Sequence, residues 1–216
     1  GDTTGGPVGS SDCGETDPDK LLACYDFEQI EDGILDNSAA DILHGTSTGV
    51  GAVEGVPGLA GNFVDGSLAT VPNSADLHVD EFTIEGWFFV NSLPTGSDQI
   101  VIVAQQEDVF EFGVSGNAKI RCGLTGVGSL LGGSVTVGEW SHFACTYDGI
   151  LRMWQDGQPR GMVGDDNDPM PMSSADLLFG NTAMGDQPYE GRLDTVRLWG
   201  RALSEAELCQ LAGDLC

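Results

Sequence analysis

The stretch WSHFACTYDGILRMWQDG, residues 140–157, contains two alternating segments, each followed by an Asp-Gly pair. In the first segment Phe143 and Tyr147 lie on one face, and the side chains of the other parity lie on the opposite face. Asp-Gly pairs are favoured in tight hairpin turns because both residues tolerate a positive φ. The stretch therefore predicts an antiparallel hairpin of two β-strands, Trp140–Tyr147 and Ile150–Gln155.

On both sides of this hairpin in the sequence, short runs of apolar or alternating residues are separated by turns that contain glycine. The 216 residues include 32 glycines and nine prolines, a composition that favours many short strands over helices. The further predicted strands are Leu21–Glu28, Gly61–Phe63, Leu68–Val71, Phe82–Val90, Ile100–Ala104, Phe110–Val114, Ala118–Leu124, Leu177–Gly180 and Tyr189–Trp199.

One helix is predicted near the end of the chain. Ser204 stands three residues before Glu207, the spacing of a capping box, in which each side chain bonds the backbone N–H of the other residue. Leu208 and Leu211 then form the apolar face of a short helix.

Four motifs occur in an order that resembles the concanavalin A-like lectin/glucanase superfamily, in its laminin G-like and pentraxin-like branch. They are FVDGSLATV at Phe63–Val71, FTIEGWFFV at Phe82–Val90, the hairpin, and GRLDTVRLWGRALS at Gly191–Ser204. The resemblance covers roughly Leu21 to Leu211. It implies an all-β fold, a two-sheet antiparallel jelly-roll sandwich with one short C-terminal helix.

Two segments are expected from composition. Residues 1–20 are rich in Gly, Ser, Thr and Asp, with almost no large apolar side chain, and are predicted to be a flexible acidic tail or linker. Residues 21–216 are predicted to form the sandwich as one domain with one core. We expect the tail to tether this domain to a membrane anchor or to another domain.

The charge of the chain excludes several classes of partner. Thirty-four acidic residues against eight basic ones give a formal net charge of −26. Such a surface repels nucleic-acid phosphates and anionic lipids. No apolar run approaches the roughly 20 residues of a membrane span. We therefore expect no nucleic-acid binding and no direct membrane insertion.

Six cysteines, an even number, point to an oxidising compartment, so that the protein is expected to be extracellular, periplasmic or at the cell surface. Cys122 and Cys145 both lie in predicted strands and are expected to bridge neighbouring strands. The other four lie near the two ends, which the fold would bring together. We expect Cys13 or Cys24 to pair with Cys209 or Cys216.

A catalytic role is not expected. The glucanase branch carries Glu-x-Asp-x-Glu on one strand, where acids on one face converge on a sugar, and no such triplet occurs in this chain. Glu85 stands without a carboxylate partner in its strand. His44, His78 and His142 lie in unrelated contexts, and no G-x-S-x-G motif is present. A polysaccharide hydrolase or lyase would need a solvent-facing carboxyl pair, for example one that includes Glu85.

The resemblance also implies a structural calcium ion, held by the first strand, the F-x-D-G turn and the last strand. Calcium takes six to eight oxygen ligands from carboxylates and backbone carbonyls. The alternative is that the turn aspartate caps its turn and that Asp194 pairs with Arg192 or Arg197. The matching ligands in this chain are Glu28, Asp65 and Asp194, with Asp26, Asp32 and Asp36 as alternates.

The favoured function is a non-catalytic extracellular binding module with carbohydrate as its ligand. The alternative is a protein-interaction or adhesion module of a cell-surface protein. Sugars stack on exposed aromatic side chains, but Trp87 and Trp140 are expected to pack inside, and neither Trp154 nor Trp199 is clearly exposed. A polar rim is expected from the turn residues Asp98, Gln99, Gln105, Gln106, Glu107 and Asp108.

Overall fold

A computed structural model describes Cys13 and residues 21–30, 33–56, 58–95, 99–105, 109–165 and 174–216. These residues form β-strands, a short 3-10 helix at Ala75–Leu77 and an α-helix near the C-terminus. The strands are β1 Leu21–Tyr25, β2 Ile34–Leu35, β3 Gly45–Thr48, β4 Gly51–Glu54, β5 Leu59–Phe63, β6 Leu68–Val71, β7 Phe82–Val90, β8 Gln99–Gln105, β9 Phe110–Ser115, β10 Ile120–Leu124, β11 Gly128–Gly132, β12 Trp140–Tyr147, β13 Leu151–Gln155, β14 Gln158–Val163, β15 Leu177–Phe179 and β16 Gly191–Trp199, and the helix is α1 Glu205–Leu211.

The strands form two antiparallel sheets of eight strands each, so the predicted all-β, two-sheet sandwich is confirmed. Sheet A has the order β14-β13-β12-β7-β16-β5-β4, and β1 also pairs with β16. Sheet B has the order β11-β10-β9-β8-β15-β6-β3-β2. Strands distant in sequence therefore lie side by side in both sheets. No helix in the described ranges is long and apolar enough to cross a membrane.

The main core lies between the inner faces of the two sheets and follows from the alternation of side chains along each strand. In β7, Ile84 and Phe88 point into this core, whereas Glu85 and Trp87 point to the outer face of sheet A. Across the core the ring of Phe112 in sheet B stacks on that of Phe143 in sheet A, with centroids 3.9 Å apart. Such pairs join the two sheets.

The predicted hairpin is confirmed as β12 and β13. Gln155 pairs with Gln158 at the start of the next hairpin, so Asp156 and Gly157 form a two-residue turn. Their φ values are 51° and 71°, the left-handed values that a tight hairpin turn of this kind needs at both positions.

The predicted helix is confirmed as α1 and covers part of the outer face of sheet A. Ser204 and Glu207 form the complete capping box. Leu208 and Leu211 pack with Trp154 and Trp199 in a second, smaller core. Sheet A is thus buried on both faces over this region, while the outer face of sheet B has no helix on it in the described part of the chain.

The disulfide expectations are confirmed in one case and wrong in the other. Cys122 pairs with Cys145, and because β10 is in sheet B and β12 in sheet A, this bridge joins the two sheets. The ends of the chain are not joined to each other. Each end instead closes a local loop, with bonds Cys13–Cys24 and Cys209–Cys216.

The local pairing at the C-terminus follows from the turn after α1. Gly213 and Asp214 both have positive φ, 73° and 57°, and the N–H of Asp214 donates to the carbonyl of Cys209. The chain therefore folds back and brings the Cα atoms of Cys209 and Cys216 to 5.7 Å, a normal disulfide separation.

Candidate functional site

A shallow groove lies on the outer face of sheet B, over β9 and β10. Along these strands large side chains point into the core, and the positions of the other parity face outward. Gly123 is paired with Glu111, and Gly113 with Arg121, so each charged residue has a glycine beside it. A Cβ added at Gly123 would meet only Cβ of Ser129, at 3.6 Å. Gly123 thus leaves an open floor beside Glu111, whereas a Cβ at Gly113 would meet the backbone carbonyl of Ile100.

A polar network of four side chains crosses this floor. Arg121 Nη1 lies 3.1 Å from Glu111 Oε1 and also donates to Gln99 Oε1. Gln99 Nε2 in turn donates to Gln187 Oε1 at 3.0 Å. Guanidinium, carboxylate and amide groups together offer planar donors and acceptors, which are the groups that fix the orientation of a polar ligand.

Gln187 is held in place by the connection between β15 and β16. Its carbonyl accepts a hydrogen bond from the N–H of Val101, and its own N–H donates to Oδ1 of Asn181. Asn181 is buried and its Oδ1 also accepts from the N–H of Thr182. The backbone that carries Gln187 is therefore anchored to β8 before any ligand arrives.

Two hollows meet at the Gln99–Gln187 pair. The first, of about 350 Å³, lies over β9–β11 and is lined by Glu111, Arg121, Gly123 and Ser129 among others. The second, of about 620 Å³, lies at the end of the sandwich between residues 92–95 and the segment 186–190. Gln99 and Gln187 line both hollows. The two hollows therefore form a single groove, which we call the sheet B groove.

Sequence reasoning found one member of this groove and missed the others. Gln99 was expected on a polar rim, and it lies in the groove wall. Glu111, Arg121 and Gln187 were not expected, because strands β9 and β10 and the 186–190 segment meet only in the folded protein. The available signal was the pattern IRCGL of β10, in which a charged residue and a glycine take the outward positions.

The predicted calcium ligand Asp194 lies at an irregularity of β16. Strand pairing with β7 shifts between Asp194 and Arg197, and Thr195 has φ 47°. Asp194 is 1 % exposed. One carboxylate oxygen accepts from the N–H of Val56, and the other accepts from the hydroxyl of Thr195 at 2.8 Å. The carboxylate therefore fastens the β4–β5 hairpin to β16.

Burial raises the pKa of Asp194 to about 7, against the lowering effect of its hydrogen bonds to Val56 and Thr195. The nearby carboxylates of Glu28 and Asp26 raise that pKa further. Glu28 Oε1 accepts from the N–H of Leu59, at the other side of the same hairpin, at 2.8 Å. The structure thus brings Asp194, Glu28 and Asp26 into one region.

The remaining predicted calcium ligands are Asp36 and Asp65, and Asp32, which is outside the described residues. Asp36 lies 2.7 Å from Nδ1 of His44, and Asp65 is exposed in the turn after β5. Among the residues with described positions, no three His, Cys, Asp or Glu side chains are arranged to hold a metal ion. Asp32, Asp98, Gln106, Glu107, Asp108, the side chain of Gln105, and residues 1–12 and 14–20 of the predicted tail lie outside the described residues.

The alternative pairing of Asp194 with an arginine is not what the structure contains. Arg197 lies 3.0 Å from Glu85 Oε1, and the guanidinium of Arg192 lies 4.6 Å from the ring centre of Phe89. The Asp194 carboxylate instead accepts hydrogen bonds from the N–H of Val56 and the hydroxyl of Thr195. The irregularity of β16 turns this side chain toward the β4–β5 hairpin.

Glu85 is buried, and its carboxylate contacts the side chains of His142 and Arg197. Its Oε2 lies 2.8 Å from Nε2 of His142 and its Oε1 bonds Arg197, and all three residues are at most 1 % exposed. Burial alone would raise the pKa of Glu85, but Arg197 and His142 together lower it. Glu85 therefore does not face a groove, which the hydrolase alternative would require of it, and His142 is a structural histidine.

The tryptophans provide no stacking platform in the sheet B groove. Trp87, Trp154 and Trp199 are buried, and Trp140 is half-buried on sheet A against Phe89, with ring centres 5.5 Å apart. No tryptophan is among the residues that line the two hollows, and the described lining is mostly polar.

Comparison with known proteins adds a family and a set of structural relatives. A laminin G-type family model, described as the concanavalin A-like lectin/glucanases superfamily, matches residues 63–209. No curated protein matches the sequence at a significant level.

Among solved structures, domain 4 of AbnA, an extracellular arabinanase from Geobacillus stearothermophilus, in complex with arabinotriose, has a TM-score of 0.71 and 19 % identity, over 89 % of this chain and 98 % of that one. The sialidase of Trypanosoma rangeli has a TM-score of 0.70 and 14 % identity, over 89 % of this chain but 32 % of that one. The binding domain of botulinum neurotoxin DC, in complex with rat synaptotagmin II, has a TM-score of 0.69 and 11 % identity, over 92 % of this chain and 52 % of that one. At these identities the likeness shows the fold alone.

Proposed function

The chain belongs to the concanavalin A-like lectin/glucanases superfamily, and on that premise we propose that it is an extracellular, non-catalytic binding module for carbohydrate. The observation that carries the proposal is the sheet B groove, in which Arg121, Glu111, Gln99 and Gln187 form one hydrogen-bonded network above a glycine floor. Sugar hydroxyls both donate and accept hydrogen bonds, so a mixed set of amide, carboxylate and guanidinium groups suits them.

The structural relatives support this ligand class. The AbnA domain was solved with arabinotriose and has almost the same extent as this chain. The volumes of the two hollows also fall in the usual range of ligand pockets, about 300 to 1,000 Å³. An extracellular location is supported by the disulfides, which persist in oxidising compartments.

A non-catalytic role is supported by the position of the acidic residues. Retaining glycosidases need two carboxyl groups about 5 to 5.5 Å apart beside the sugar. Glu85 is enclosed with His142 and Arg197, and Glu111 in the groove is bound to Arg121. Glu85 and Glu111 therefore serve as structural partners in the proposal, Asp186 and Glu190 line the second hollow, and the groove holds its ligand without cleaving it.

A glycan panel tests the proposed function. We expect the protein to be retained on at least one glycan, and Gly123→Leu to weaken that retention by about tenfold or more, because the new side chain would fill the groove floor. Gly51→Leu is the matched control, since a Cβ at Gly51 in sheet A would meet nothing within 4 Å. Retention on no glycan, or retention that Gly123→Leu leaves unchanged, would overturn the proposal.

A structural calcium ion near Asp194 is a second part of the proposal, supported by the excess of negative charge that Glu28 and Asp26 place beside a buried carboxylate. An ion that binds only the folded protein raises its stability by mass action. We expect the melting temperature to be higher in millimolar calcium than in EDTA, and Asp194→Asn to remove this difference. Equal melting temperatures in the two buffers would exclude the ion.

A protein partner is the second candidate function. It is favoured by two exposed apolar side chains near the groove, Met184 at 87 % and Leu131 at 57 % exposure, and the toxin domain solved with synaptotagmin II is a relative of this kind. The same glycan panel separates the candidates, because an adhesion module would give no retention on glycans.

A further inference from the structure

The sheet B groove is divided into two hollows by one pair of amide side chains. Gln99 and Gln187 line both hollows and are joined by a 3.0 Å hydrogen bond, so a ligand that occupies both must cross this pair. Either hollow is large enough for a small ligand by itself. The two hollows are therefore neighbours that share these two lining residues.

The charges that line the groove limit what can lie in it. In the first hollow the charge of Arg121 is offset by Glu111. In the second hollow the described lining has two carboxylates, Asp186 and Glu190, and no basic residue. The whole chain carries a net charge of −26. An anionic sugar chain would therefore be repelled at the second hollow and by the protein as a whole.

The floor and the walls of the sheet B groove present different groups to a ligand. Gly123 gives an open floor, where a sugar ring can approach the backbone of β10. The walls offer side-chain amides from Gln99 and Gln187, which can each donate to one hydroxyl and accept from another. Uncharged hydroxyl groups match these walls because they can both donate to an amide oxygen and accept from an amide N–H, whereas an ionised carboxylate or sulfate can only accept.

Resting on the proposed carbohydrate-binding function, we propose that the ligand is an internal stretch of an uncharged linear polysaccharide, which occupies both hollows at once and crosses the Gln99–Gln187 pair. Short fragments fill one hollow only. Affinity therefore depends on chain length, and the protein binds along a polymer instead of capturing its terminal sugar.

The test is titration calorimetry with three neutral series, the arabino-, xylo- and cello-oligosaccharides from disaccharide to hexasaccharide, and with oligogalacturonates as the anionic probe. We expect the hexasaccharide of one neutral series to bind at least about tenfold more tightly than its disaccharide. We expect no binding of oligogalacturonates. Affinity for the neutral chain should change little between low and high NaCl, because no charge on the ligand is screened.

Two variants separate the compartments. Gly123→Leu fills the first hollow, and Ser92→Trp places a bulky ring at the exposed edge of the second. Each is expected to weaken binding and to abolish the gain from chain length, and Gly51→Leu is expected to bind as the unchanged protein does. Chemical denaturation of all three variants checks that they are folded.

The results distinguish this inference from the proposed function. Neutral sugars that bind equally at every length, with Gly123→Leu weakening binding and Ser92→Trp having no effect, would overturn the two-hollow site and leave carbohydrate binding intact. Tight binding of oligogalacturonates would overturn the neutral ligand. Absence of binding to any glycan, on the panel and in the titrations, would overturn the carbohydrate function itself.

Discussion

Glu85 and Asp194 are buried acidic side chains that have different partners. Glu85 is ionised inside the protein because Arg197 and His142 offset the effect of burial and lower its pKa. Asp194 has backbone and hydroxyl donors but no cationic partner, and burial raises its pKa to about 7. The two residues should therefore respond differently to mutation and to pH.

Replacing Glu85 by Gln is expected to destabilise the protein by about 3 to 5 kcal/mol, the usual effect of removing one member of a buried ion pair. Arg197 would be left buried beside a neutral side chain. Urea denaturation at neutral pH measures the change, and Glu54→Gln, at an exposed glutamate of β4, is the control. A loss below about 1 kcal/mol would contradict the view that the ion pair anchors β7 to β16.

Asp194 should make stability fall as the pH rises. Its pKa is about 7 in the folded protein, against an ordinary aspartate pKa of 3.8, so between these values the folded state binds more protons than the unfolded state. Stability is fully present below pH 3.8 and is lost toward pH 7, by at most about 4 kcal/mol at 1.36 kcal/mol per pKa unit.

Asp194→Asn should flatten this dependence, since Asn keeps an acceptor for the N–H of Val56. The measurement is urea denaturation in EDTA at pH values from about 4 to about 7. Parallel curves for the two proteins would show that Asp194 is ionised throughout the window.

At the scale of elements, the helix α1 covers Trp154 and Trp199 on sheet A, and its start depends on Ser204. Ser204→Ala is expected to cost about 1 kcal/mol, because it removes the acceptor for the N–H of Glu207. Thermal unfolding measures the loss, with Ser92→Ala in an exposed loop as the control. An unchanged melting temperature would mean that packing of Leu208 and Leu211 alone sets the helix.

The elements predicted from the sequence are those with a buried face. β7 and β12 alternate over eight or nine residues and are both central in sheet A. β2, β3, β4, β11 and β14 were not predicted: all but β3 are edge strands, and each of the five has at most one buried residue. A strand with no buried face has no alternation to detect.

The residues of the sheet B groove were predicted less well than the strands, because they are far apart in the sequence. Arg121 and Gln187 are 66 positions apart in the numbering of the chain, and only the pairing of β8 with both β9 and β15 brings them together. The disulfide pairing at the C-terminus likewise depends on one turn, at Gly213 and Asp214, that no strand pattern reveals. Contacts of this kind are set by topology.

At the scale of the whole molecule, the Cys122–Cys145 bond is the covalent link between the two sheets. It closes a sequence separation of 23 residues, against seven for Cys209–Cys216. By loop entropy we expect the double change of Cys122 and Cys145 to Ala to cost about 3 kcal/mol and that of Cys209 and Cys216 about 2 kcal/mol.

Guanidinium chloride denaturation of the two double variants and the unchanged protein measures this difference. The Cys122 and Cys145 side chains also lie in the main core, so their replacement leaves a cavity that adds to the loss. A larger loss for the Cys209 and Cys216 variant would mean that the C-terminal loop, and not the link between the sheets, limits stability.

The helix α1 and strand β1 both belong to the sheet A side of the sandwich, whereas the groove opens on the outer face of sheet B. Because the two outer faces point in opposite directions, the groove lies on the side of the protein opposite to α1. Fused through its C-terminal residue, which is bonded to Cys209 in α1, the protein would present its groove to the solution, and copies arrayed on one support would all face the same way. With the proposed polysaccharide ligand, an array of that kind would bind one long polymer at many points, so that weak individual contacts would add up to a high avidity.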